Sequence, residues 1–107
     1  MPRILFICSR NRLRSPTAAQ LFSDRPGVET DSAGLAPDAE VALDAEQIRW
    51  ADLIFVMESS HRRKLSQTFK QQMKGKKLVC LDIPDKYAFM QPELLALLEK
   101  RVASHLA

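Results

Sequence analysis

A cysteine closes the apolar run Ile4 to Cys8, and Arg10, Arg12 and Arg14 follow within six residues, ahead of Ser15-Pro16. A thiol becomes a nucleophile when its thiolate is stabilised, and cations or a helix N-terminus beside it lower a thiol pKa to roughly 3.5–7.5 in reactive sites. Both causes are present here. Five residues, Ser9 to Leu13, separate Cys8 from Arg14. A loop of that length can curl so that its backbone N–H groups converge on one point, with sulfur at the floor and a guanidinium at the rim. A tetrahedral oxyanion fits that centre. The planar fork of Arg14 can grip two of its oxygens, which a lysine cannot do. The Ser15 hydroxyl can reach the sulfur and stabilise it as a leaving group. Asn11 is either an ordinary turn residue or a brace for the loop, and Arg10 and Arg12 either extend the positive field or stay solvated. Taken alone, a cysteine at the end of an apolar strand is usually a small buried hydrophobe. Arg14, Ser15 and Pro16 at fixed spacing turn that reading toward a nucleophile.

The surrounding elements alternate. "RILFIC" reads as a buried strand. Ser15 as N-cap and Pro16 at the first helical position predict a helix carrying Ala18, Leu21 and Phe22 inward, ended by Pro26-Gly27. "VETDSAG" is a less apolar strand suited to a sheet edge. Asp44 to Trp50 predicts a short helix, with Trp50 in the core, and Asp52 to Met57 a buried strand. Ser59 or Ser60 is expected to cap a helix whose apolar stripe is Leu65, Phe69 and Met73, with Gly75 as its stop. "KLVCL", with a structural Cys80, is a fourth strand. The loop "DIPDKYAFMQ" follows, then a helix from Pro92 that turns Leu94, Leu95, Leu98 and Val102 inward. Strands alternating with helices imply one α/β domain, a parallel sheet covered on both faces. In such sheets the site lies at the carboxyl ends of the strands, where the strand order reverses. Cys8 ends the first strand and its loop runs into a helix N-terminus.

Composition sets outer bounds. The 107 residues suit one domain, and 46% apolar with 27% charged residues is ordinary for a soluble globular chain. Runs such as "ILFIC" and "LIFVM" are too short to span a bilayer, and no signal-peptide core is visible. These features predict a cytoplasmic protein without membrane insertion. Two cysteines, with no Cys/His cluster, argue against a disulfide framework and a zinc site. The +3 net charge is uneven: residues 61–77 are basic without an acid, residues 24–52 mostly acidic. A basic run is most simply a solvated helix face, with an anionic partner as the alternative; no nucleic-acid partner is expected. His61 and His105 read most simply as surface residues.

Cys8, Arg14 and Ser15, in the pattern Cys-x5-Arg-Ser, resemble the signature of the low-molecular-weight protein tyrosine phosphatases. Asn11, Pro16, Thr17 and Ala18, "DSAG" at 31–34, "ADLIFVMESSH" at 51–61 and "IPDKY" at 83–87 are similar to further segments of that family, so the resemblance covers nearly the whole chain. It implies a flavodoxin-like domain over residues 1–107, a four-stranded parallel sheet of order 2-1-3-4, and a phosphomonoesterase working through a phosphocysteine without metal or cofactor. Carried over by position, Cys8, Arg14 and Asp85 are catalytic. Ser9, Arg10, Asn11, Arg12, Leu13, Ser15 and Tyr87 bind substrate, a phosphate monoester or phosphoprotein.

Asp85, as general acid, must reach across two strand spacings, about 10 Å, from the fourth strand to the first. The loop from Asp82 to Gln91 is long enough. Asp82, nearer the strand end, is the rival acid. Tyr87 and Phe89 either flank the entrance or join the core. The chain departs from the family pattern in four places. Arg10 stands where the family has glycine, Leu13 where a second cysteine is common, and Lys86 where proline follows the acid. The segment between "SAG" and "ADLI" is short, which implies a more open rim and a substrate that need not be phosphotyrosine. Arsenate reduction would need further thiols, and only Cys80 remains. A sugar-transport phosphocarrier would not need Arg14, and a phosphate-binding relative without turnover is the third alternative.

Overall fold

The computed structural model describes residues 2–106. Its centre is β1 (Arg3–Cys8), buried throughout after Arg3. A strand hidden on both faces needs apolar residues at successive positions, which "ILFIC" supplies. β2 (Glu29–Gly34) lies on one side of it and β3 (Leu53–Val56) on the other, with β4 (Lys77–Cys80) beyond β3. All pairings are parallel and the order is β2-β1-β3-β4, as the resemblance implies. β2, the least apolar strand, takes an edge.

Alternation of side chains divides the core in two. Ile4, Phe6, Cys8, Phe55 and Met57 face α1 (Arg14–Ser23) and α5 (Pro92–Leu106), meeting Phe22, Leu94, Leu98 and Val102. Phe6 stacks between Phe22 and Phe55, with ring centroids 5.9 and 5.3 Å away, contacts worth about 0.5–1.5 kcal/mol each beyond area burial. Leu5, Ile7, Ile54 and Val56 face α2 (Ala45–Trp50) and α3 (Ser59–Thr68), meeting Ile48 and Leu65, with Trp50 half-buried against them. No described helix is long and apolar enough to cross a membrane.

Three local expectations need correction. α1 begins at Arg14 with Leu13 at the N-cap position, so Ser15 is not the cap. Pro16 is still tolerated because it remains in the first turn, where no N–H is owed to the helix. Neither Ser59 nor Ser60 caps α3; Glu58 does, with its N–H donated to His61 Nδ1 at 3.1 Å. The expected single helix breaks at Phe69, whose φ of −122° and ψ of 39° are not helical, and resumes as α4 (Lys70–Met73) before Gly75. Leu65, Phe69 and Met73 still pack on one core face.

Candidate active site

The β1–α1 loop is held open from outside. The N–H groups of Leu35, Ala36 and Glu40 donate to the carbonyls of Cys8, Ser9 and Arg10, at 3.0, 2.8 and 3.0 Å. In a trans peptide, C=O and N–H point in opposite directions. Pulling these three carbonyls outward therefore turns the N–H groups of Ser9, Arg10 and Asn11 inward. The Asn11 N–H lies 3.3 Å from Cys8 Sγ. The N–H groups of Arg14 and Ser15 open α1 ahead of its first closing bond, Thr17 N–H to Leu13 carbonyl, and add the positive end of the helix. The sequence supports this loop where it is tightest. Asn11 adopts φ 56°, a left-handed conformation that asparagine tolerates better than most residues. Its side-chain amide donates to the Ser15 and Ser32 hydroxyls, both at 2.9 Å, so Asn11 is a brace. Ser15 Oγ stands 2.9 Å from Cys8 Sγ, which explains why it is not free to cap the helix.

Gly34 permits the close approach of residues 35–40 to the loop. A Cβ there would lie 2.6 Å from Ala39 Cβ and 2.7 Å from the Ser9 carbonyl oxygen. Gly34→Ala is expected to lower stability by about 1–3 kcal/mol, the usual cost of overpacking. Because the atom displaced is the Ser9 carbonyl, phosphate affinity should fall as well. Urea denaturation and phosphate titration of one sample check both.

Arg14 is 2% exposed. Its Nη1 donates to Glu58 Oε2 at 2.7 Å and to the Ile83 carbonyl at 2.8 Å. That anchors one corner of the guanidinium and leaves the Nε/Nη2 edge for a bidentate grip on an oxyanion. Asp85 Oδ1 is 3.6 Å from Nε, and the Asp85 side chain is 60% exposed. Its loop is tied at both ends. The Ile83 N–H bonds to the Met57 carbonyl, and the Met90 N–H to Thr17 Oγ1. The result is a cavity of about 400 Å³ lined by Cys8, Ser9, Arg10, Arg12, Leu13, Arg14 and Asp85.

Other candidates fall elsewhere. Asp82 faces a separate cavity with Cys80, Lys100 and Arg101. Tyr87 does not line the Cys8 cavity. Its half-buried ring packs on the α1–α5 side of the core, with Lys86 Nζ 5.5 Å from the ring centroid, while Phe89 is 47% exposed. Arg10 and Arg12 stand on the rim, paired with Asp38 at 3.0 Å and Glu40 at 3.3 Å. Such exposed pairs add about 0–1 kcal/mol each and mainly fix position.

Sequence reasoning overlooked Glu58 and placed His61 on the surface. His61 is 4% exposed. Its Nε2 lies 3.0 Å from Ser9 Oγ. Burial, the largest cause, and then Arg14 lower its pKa from the ordinary 6.5, against opposing contributions from Glu58 and Asp85. The ring is therefore neutral at pH 7. A signal was present: Glu58 and His61 stand three apart at a strand-to-helix junction, the spacing of a reciprocal cap.

No protein-family model matches the chain. A protein-arginine-phosphatase of Geobacillus stearothermophilus is 32% identical over 93 residues, covering 64% of this chain and 63% of the relative. The match thus spans less than two thirds of that curated relative. The solved structure of the YwlE arginine phosphatase from Geobacillus stearothermophilus superposes with a TM-score of 0.78 at 27% identity, covering 99% of this chain and 93% of that one. The tyrosine phosphatase Wzb from Escherichia coli K30, in complex with phosphate, gives 0.78 at 26% identity with 98% of both chains covered.

Proposed function

Since this chain belongs to the low-molecular-weight protein tyrosine phosphatase family, we propose that it is a metal-independent phosphomonoesterase acting on phosphotyrosine in proteins through a phosphocysteine on Cys8. One observation carries the reading. Cys8 Sγ sits at the floor of inward-turned amides, beneath a buried arginine whose Nε/Nη2 edge is unclaimed by its anchors.

In the first step the Cys8 thiolate attacks phosphorus in line and the P–O bond to the leaving group breaks. Arg14 and the loop amides hold the equatorial oxygens, where transition-state charge lies. Protonated Asp85 gives its proton to the departing oxygen. In the second step Asp85, now ionised, takes a proton from water, which attacks the phosphocysteine. Inorganic phosphate leaves and the thiolate returns, helped by the Ser15 hydroxyl. Ser9, Arg10, Arg12 and Leu13 line the substrate pocket. Asn11 and Ser15 support it from below. Tyr87 takes part only through a substrate that reaches beyond the cavity.

Phosphoarginine is the second reading, favoured by the named activity of the Geobacillus stearothermophilus arginine phosphatase that the chain matches in sequence and in structure. Arsenate reduction is disfavoured by Cys80, which lines the cavity of Asp82 and Arg101 rather than that of Cys8. Both cysteines are free thiols, and a nucleophilic thiol stays reduced in the cytoplasm, where we place the protein.

The test is hydrolysis of p-nitrophenyl phosphate in excess EDTA. Turnover that persists is the expected result, with competitive inhibition by vanadate measured separately in buffer free of EDTA, which would complex it. Loss of turnover on chelation would reject the metal-independent mechanism. Phosphotyrosine and phosphoarginine peptides assayed side by side decide the substrate.

A further inference from the structure

Resting on the phosphatase reading of this cavity, we propose that His61 is a positioning residue that turns the Ser9 hydroxyl proton toward the bound phosphoryl group, making Ser9 a side-chain donor to the oxyanion. The inference begins with the tautomer. A backbone N–H can only donate, so the Glu58 N–H at 3.1 Å requires a lone pair on His61 Nδ1. A neutral imidazole then carries its proton on Nε2, and Nε2–H donates to Ser9 Oγ at 3.0 Å. The serine hydroxyl has one proton of its own. With Nε2–H occupying a lone pair, that proton points away from the histidine. Ser9 lines the cavity beside Cys8 and Arg14, where a phosphoryl group would bring three acceptor oxygens.

The same ring reaches the other side of the site. Glu58, whose N–H fixes Nδ1, anchors Arg14 through its carboxylate. His61 therefore joins the cradle wall to the turn that holds the arginine.

The arrangement needs the neutral ring. A proton on Nδ1 would face the Glu58 N–H head-on. The charged groups facing His61 are Arg14 from α1, Glu58 from the β3–α3 turn, Asp85 from the β4–α5 loop and Lys64 from α3. Burial, then Arg14, and lastly Lys64 oppose protonation, while Glu58 and Asp85 favour it. A lowered folded pKa means that the neutral form, and the stability linked to it, is fully present above the ordinary value of 6.5. The stability is lost as pH falls from that value to the folded pKa, and the neutral ring itself as pH falls through the folded pKa.

The experiment compares wild type, Ser9→Ala, Ser9→Thr, His61→Phe and the Ser9→Ala/His61→Phe double variant. The readouts are kcat/KM for p-nitrophenyl phosphate and Kd for inorganic phosphate. At about pH 7.5, Ser9→Ala should lower kcat/KM and weaken phosphate binding about tenfold, the scale of one hydrogen bond to a charged group. Ser9→Thr, which keeps the hydroxyl, should recover most of both. His61→Phe should cost clearly less in the Ser9→Ala background than in wild type, because the two share one interaction; what cost remains comes from the Glu58 N–H left without its acceptor. The wild-type to Ser9→Ala ratio cancels ionisation of substrate and of Cys8. It should shrink toward one as pH falls through the folded pKa of His61, which lies below 6.5. A ratio constant with pH, additive effects in the double variant, or Ser9→Ala indistinguishable from wild type would each overturn the proposal. Phosphate binding reports on it even in an enzyme without turnover. An inactive wild type that still shows the Ser9 pattern in Kd would reject the enzymatic reading and leave the Ser9–His61 unit standing.

Discussion

Cys8→Ser is expected to abolish hydrolysis of p-nitrophenyl phosphate, a fall of more than about 10⁴-fold of the kind seen when a nucleophile is removed. Phosphate binding should survive within a few-fold. The surroundings of Sγ make the loss near total. Its neighbours are the Asn11 N–H at 3.3 Å and the Ser15 hydroxyl at 2.9 Å, with the loop amides around them. These groups donate or can donate, so they suit an atom that arrives already negative. A serine oxygen in that place would need a base to take its proton, and the structure offers it none nearby. His61 is committed to Ser9 and to the Glu58 N–H. Asp85 lies across the cavity beside Arg14. The binding elements are independent of the sulfur, which is why affinity for phosphate should persist. Single-turnover assays with calorimetric titration of phosphate separate the two quantities. Hydrolysis within tenfold of wild type would remove Cys8 from the mechanism.

The sequence exposed the parts of this site that are local. An apolar strand ending in cysteine, a loop of fixed length and Arg14-Ser15-Pro16 describe one continuous segment, and its conformation follows from residues that are neighbours in the chain. The position of β2 at an edge follows from the contrast between "ILFIC" and "ETDSAG", whereas the full strand order is what the family resemblance implies. What stayed hidden depends on segments far apart in sequence. The carbonyls of residues 8–10 are drawn outward by N–H groups of residues 35–40, and backbone amides leave no signature in composition. Arg14 owes its orientation to Glu58 and to the Ile83 carbonyl, 44 and 69 residues away. A histidine after two serines in a basic stretch, as His61 is, looks solvated; only one of its two hydrogen bonds, from the Glu58 N–H, is local, and the other reaches Ser9 Oγ, 52 residues away. The helix cap was misplaced at Ser15 for the same reason. Local preference makes it an N-cap, but Asn11 and Cys8 compete for the hydroxyl and win because the loop folds over it.

Asp85→Ala should reveal its role through the leaving group. With phenyl phosphate, whose phenolate leaves poorly, kcat/KM is expected to drop by about 10²–10⁴-fold, the usual contribution of a positioned proton donor. With p-nitrophenyl phosphate, whose leaving group needs little protonation, the drop should be much smaller. The geometry favours Asp85 over Asp82 for this work. Asp85 lines the cavity and stands 3.6 Å from the Arg14 edge that would hold phosphate, too far for a strong ion pair that would lock the carboxylate. Asp82 faces Cys80 and Lys100 in another cavity, so Asp82→Ala should leave the dependence on leaving group unchanged. The neighbouring Lys86 ammonium lies over the Tyr87 ring, 5.5 Å from its centroid. Asp85 also serves the second step by activating water, so its removal slows breakdown of the phosphocysteine. A burst of p-nitrophenolate followed by slow turnover is therefore expected from Asp85→Ala with the good leaving group, where formation of the intermediate is spared. Equal losses with both substrates and no burst would mean that the side chain merely holds its loop. The proton donor would then have to be sought among groups that reach the cavity only when substrate is bound.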